Sequence, residues 1–150
     1  MRTKNGNRSC SSNSFSSNTT AIKSLSEVKN PSLLISFRFV NRAAENLSEI
    51  QKFRNLTDLD LGGNLLREEV PELRKLSFLK KLSIAGNKIE KMWSLPTTLE
   101  FLNISKNLLT ELAPSICQDM PNLKVLDVSN NRLKSLIGLE HLTRIKRFIC

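Results

Sequence analysis

Asp58 and Asp60 flank Leu59, a spacing that sets two carboxylates on one face of an extended strand and so invites general acid/base work or a hard cation. No third ligand or base accompanies them, and a solvated acidic pair answering Lys80 or Lys81 of a neighbouring strand explains the same residues more simply. His141, the only histidine, follows Cys117 by 24 residues, close to one period of the repeat described below, so a Cys–His nucleophilic pair is conceivable. A buried, inert thiol beside a surface imidazole is the simpler reading. Gly62-Gly63-Asn64 lacks the strand–loop–helix setting and the Lys-Ser/Thr that a phosphate cradle needs. Cys10, Cys117 and Cys150 are odd in number and widely spaced, which fits neither a disulfide framework nor a CxxC metal site. The expectation is a protein without catalytic residues, metal ligands, cofactor or small-molecule substrate.

What positions these residues is a repeat. Leu56, Leu59, Leu61, Asn64 and Leu66 recur in the same frame as Leu79, Leu82, Ile84, Asn87 and Ile89. The frame continues as Leu99, Leu102, Ile104, Asn107, Leu109 and as Leu123, Leu126, Val128, Asn131, Leu133. One period earlier, Leu34, Phe37, Phe39, Ala44, Leu47, Ile50 and Phe53 fit, with Arg42 in the Asn position. Units therefore start at 34, 56, 79, 99 and 123, and a truncated one opens at 145. Residues 12–33 read as a degenerate N-terminal capping repeat, with Phe15, Ile22, Leu25 and Val28 in apolar positions. Residues 1–11 form a basic Ser/Asn-rich tail for which disorder is expected.

L-x-x-L-x-L-x-x-N-x-L, four times in register, resembles the leucine-rich-repeat superfamily over roughly residues 34–150. The resemblance implies an α/β fold: a right-handed solenoid with short parallel strands on its concave face and irregular, 3-10 or helical returns on its convex face. Returns such as Leu47, Ile50, Phe53 and Leu136, Leu139, Leu142 are closest to the intracellular 22-residue subclass, which includes phosphatase regulatory subunits. The unit from 99, with Leu112, Ile116, Cys117 and Met120, follows the 24-residue pattern instead. The family also implies an inward-facing ladder of Asn64, Asn87, Asn107 and Asn131.

Within each unit the fourth and sixth positions point into the core, so the third and fifth face outward on the strand. The third reads Ser36, Asp58, Lys81, Phe101, Val125, Arg147, and the fifth Arg38, Asp60, Ser83, Asn103, Asp127, Ile149. Phe101 and Val125, flanked by Lys81 and Arg147 and beside Asn103 and Asp127, have the apolar centre and polar rim of a protein-binding hot spot. With Arg38, Asp58 and Asp60 they make up the expected partner-binding face. Trp93 follows Met92, which fits a core position, so the indole is expected to project from the convex side or lateral edge, as a second interface candidate or, the favoured reading, packed over a neighbouring return.

A net charge of +9 suits an acidic partner. Residues 1–33 carry five Lys/Arg against Glu27 alone. No apolar run approaches the ~18 residues needed to span a bilayer, and the polar basic start lacks a signal-type apolar stretch. The expected location is cytoplasmic, either cytoskeleton-associated or nuclear. Five N-x-S/T triplets, at Asn7, Asn18, Asn46, Asn55 and Asn103, leave that expectation unchanged in a chain rich in Asn, Ser and Thr. The leading function is a protein-interaction module or scaffold working through the concave face. One rival is the recognition arm of a kinase or ubiquitin ligase whose catalytic part lies outside the chain. Nucleic-acid binding by the basic segments ranks lower, because no stacking aromatics are interleaved with them.

Overall fold

The computed structural model describes residues 24–45, 47–112 and 117–150. The tail over 1–11 and residues 12–23 of the proposed cap, Phe15 and Ile22 included, lie outside the described residues, as do Asn46 and Ile116.

Each unit contributes one three-residue strand: β1 (Ser36–Arg38), β2 (Asp58–Asp60), β3 (Lys81–Ser83), β4 (Phe101–Asn103), β5 (Val125–Asp127) and β6 (Arg147–Ile149). Among the described residues they form one parallel sheet in sequence order. The register is regular, with Ser36, Asp58, Lys81, Phe101, Val125 and Arg147 paired in succession. Strands this short form because only their middle residue and the next apolar one have a core to enter. Leu59/Leu61, Leu82/Ile84 and Leu102/Ile104 are all at most 3% exposed. A single unit has nothing of its own to cover these side chains, so burial comes from the unit stacked on either side. The result is a leucine-rich-repeat solenoid.

The chain leaves each of the first five strands through a left-handed residue at the eighth position of the unit. Asn41, Gly63, Gly86, Lys106 and Asn130 all have φ between 53° and 65°. Gly63 is required twice over, since a Cβ there would also run into the Asn41 side chain. Behind this bend, the buried Asn107 donates from Nδ2 to the carbonyls of Ile84, Ile104 and Ser105 and accepts from the Ile89 N–H at 3.1 Å. Asn87 does the same for Leu61, Ile84, Ala85 and the Leu66 N–H. Asn64 and the half-buried Asn131 make the equivalent bonds one unit earlier and one later. Each amide therefore ties two adjacent units together through backbone groups that the turn leaves without a ladder partner. Arg42 holds the equivalent place in the first unit, and there the backbone N–H donates to Asn64 Oδ1 at 3.0 Å.

Where described, the returns are short 3-10 turns or irregular chain, except that residues 117–118 are α-helical. Ser48–Lys52 and Pro71–Lys75 each bury one residue, Ile50 and Leu73, and pack against one another. Phe37, Phe39 and Phe53 widen the core at the N-terminal end, with the Phe37 and Phe53 rings 4.8 Å apart. The unit from 79 departs from the sequence expectation. Trp93 is 7% exposed and lies in the core, while Met92 is only partly buried. This return is the shortest of the five, has no 3-10 turn, and fills the layer with one large ring instead. Its Nε1–H finds no acceptor among the described residues, so burial of the ring rests on its apolar area.

Candidate interaction face

The solvent side of the sheet carries the outward columns. On β1–β3 their four charged members are already paired across strands. Arg38 Nη2 lies 3.2 Å from Asp60 Oδ2, and Lys81 Nζ lies 3.2 Å from Asp58 Oδ1. The two carboxylates that invited acid/base or metal chemistry are thus each neutralised by a different cation. No group of three His, Cys, Asp or Glu able to hold a metal occurs among the described residues.

On β4 and β5 the same column turns apolar. Phe101 and Val125 are register partners, both half-buried, with exposed Lys81 before them and exposed Arg147 after. The fifth-position side chains beside them are held in place from below. Asn103 Oδ1 accepts from the Ser105 N–H at 3.0 Å and its hydroxyl at 2.7 Å, and Asp127 Oδ1 accepts equally from Ser129. Asp60 Oδ1 accepts from the Gly62 N–H at 3.0 Å. Such local side-chain to backbone bonds fix rotamers before any partner arrives. Ser105 and Ser129 were missed as members of the face. The Asx-x-Ser spacing of Asn103/Ser105 and Asp127/Ser129 was the available signal.

A second feature sequence reasoning passed over lies one residue earlier on each strand. Glu100 accepts from Lys124 Nζ at 2.6 Å and has Lys80 Nζ at 4.0 Å, so one carboxylate links three consecutive units. The Lys124 hydrogen bond, then its charge, holds the Glu100 carboxyl below the usual range, with Lys80 and Lys81 adding to the effect.

Cys117 and His141 do not make a nucleophilic pair. The thiol is buried, and desolvation together with the Glu140 charge pushes it above its ordinary value, the opposite of what a nucleophile needs. His141 Nε2 faces Gln118 Nε2 at 3.3 Å and the Glu140 carboxylate at 3.7 Å.

Residues 97–147 match the family model described as Leucine rich repeat. The chain is 36% identical to lumican of Coturnix japonica over 102 residues, 63% of this chain and 29% of that protein. It is 34% identical to human epiphycan over 91 residues, 59% of this chain and 28% of that protein. Against osteomodulin of Bos taurus it is 30% identical over 86 residues, 55% of this chain and 20% of that protein. The chain thus spans less than a third of the length of these relatives. The repeat family and these proteoglycan relatives are typically non-enzymatic. The expected cytoplasmic location is overturned, because lumican, epiphycan and osteomodulin are secreted extracellular-matrix proteins. A basic start without an apolar stretch was a weak guide, since it describes only the first residues of the given sequence.

Proposed function

We infer that this leucine-rich-repeat solenoid binds a protein partner through the open, concave side of its sheet, with Phe101 and Val125 at the centre of the contact. One observation carries the reading. Two apolar side chains stand in register on adjacent strands, in a column whose other members are Ser36, Asp58, Lys81 and Arg147. Strands pack about 5 Å apart, so the pair forms one contiguous apolar spot, and desolvating such a spot within a polar surround is how interfaces concentrate binding energy. Lys81 and Arg147 stand ready for acidic groups of the partner, while Asn103 and Asp127 offer pre-positioned polar edges. Arg38, Asp58 and Asp60 extend the face, but their mutual ion pairs leave less charge to offer. Exposed pairs of this kind are worth little in stability.

Pull-down with the wild-type chain and with the double variant Phe101→Glu, Val125→Lys tests the face. The double variant keeps the circular dichroism of the folded chain, because neither side chain enters the core, and it loses the partners. An unchanged partner set with the folded variant would overturn the assignment.

A further inference from the structure

We propose that Asn55 is an N-glycosylation site whose first sugars rest on the exposed Phe78 side chain. Of the five N-x-S/T triplets, those beginning at Asn55 and Asn103 lie wholly within the described residues. Their surroundings differ. Asn103 sits half-buried at the end of β4, its carboxamide oxygen engaged twice by Ser105, with neighbouring strands on both sides. Asn55 is exposed in the turn that precedes β2, and its side-chain nitrogen donates to the Ser32 carbonyl at 2.7 Å. Carboxamide nitrogen carries two protons and glycosylation removes one, so a donor for Ser32 remains.

The second observation is what flanks Asn55. Counted back three residues from the register partners Ser36, Asp58 and Lys81, the equivalent positions of the three units are Leu33, Asn55 and Phe78. Leu33 is 74% exposed and Phe78 59%. With Ile35, three of the five exposed large apolar side chains among the described residues gather at this end of the sheet. Scattered singly such residues need no cause, but grouped ones mark a covered surface. A pyranose presents an apolar C–H face, which packs against the electron-rich face of an aromatic ring. The relatives' extracellular setting is where the triplet is used.

The transfer is a simple substitution. Asn55 Nδ2 attacks the anomeric carbon of a lipid-pyrophosphate-linked oligosaccharide and forms the N–C bond. The C–O bond to the pyrophosphate breaks, the lipid pyrophosphate leaves with the electron pair, and one carboxamide proton passes to a base of the transferring enzyme.

The test uses the full chain, given a cleavable secretory leader and expressed in eukaryotic cells. Enzymatic glycan release in heavy-oxygen water marks each modified Asn as a labelled Asp for peptide mass spectrometry. Asn55 is expected to be occupied in most molecules and Asn103 in few, while Asn55→Gln and Thr57→Ala each lose one glycan and stay folded by circular dichroism. Glycan release lowers the melting temperature of the wild type, and Phe78→Ser abolishes that difference. An unmodified Asn55 in the folded, secreted chain would overturn the site, and an equal melting shift with and without Phe78 would overturn the seating of the sugar.

Discussion

Asn107 shows how much one side chain holds in this architecture. Its carboxamide serves one backbone N–H and three carbonyls drawn from two units, all within the turn. Replacing it with Leu keeps the bulk and strands those groups, and each unmet buried group costs about 1–3 kcal/mol. Asn107→Leu is therefore expected to lose about 3 kcal/mol or more in urea denaturation. The bend just before it separates two requirements that sequence alone merges. Gly86→Ala meets nothing closer than 3.6 Å and pays only for its left-handed φ, about 1–2 kcal/mol. Gly63→Ala should lose clearly more, because its Cβ collides with Asn41. Lys106 bears that backbone strain already, at φ 54°. Lys106→Gly should gain about 0.5–1 kcal/mol, the relieved strain less the added freedom of the unfolded glycine. Denaturant midpoints of the three variants check the order.

The returns set the local thickness of the core at the scale of the element. Where a return has room for a 3-10 turn, one Ile or Leu suffices, as Ile50 and Leu73 do. Where it is short, Trp93 fills the layer at the cost of an indole N–H unpaired among the described residues. In the unit from 99, Leu112, Cys117 and Met120 take that place, all under 5% exposed. Burial of Cys117 favours the neutral thiol, so the reactive thiolate is scarce at neutral pH. Cys150 is exposed. Alkylation of the native chain at pH 7 should therefore modify Cys150 and spare Cys117 until denaturant is added, as read by peptide mass mapping. Rapid native labelling of Cys117 would contradict its place in the core.

Across the whole molecule, stability passes from each unit to the next through the sheet, the Asn bonds and the Lys80–Glu100–Lys124 bridge. The folded Glu100 carboxyl lies below its ordinary value of 4.5. Its contribution is thus complete above that value and is lost as pH falls through the lower, folded one. Lys124→Met should narrow the gap between urea midpoints at pH 7 and pH 3. The change is expected to be small, since the pair is solvent-exposed and screened.

The solenoid was legible in the sequence because its determinants are periodic. A Leu or Ile at the fourth and sixth positions can be buried only by a neighbouring copy of itself, and four copies in frame leave no other arrangement that covers them all. The same alternation placed Phe101 and Val125 on the outward side, and strand register then made them neighbours. Features that depend on distances across the stack were decided by the tertiary structure. Trp93 and Met92 differ by one step in a return without periodicity, and only the width of the layer selects which side chain enters. Likewise, Asn55 reads as one triplet among five until the structure shows it exposed in a turn and bonded to the Ser32 carbonyl, while Asn103 is half-buried within the sheet. Spacing along a chain fixes which face a residue takes in a repeat, whereas its neighbours across units follow from returns whose variation makes the units 20 to 24 residues long.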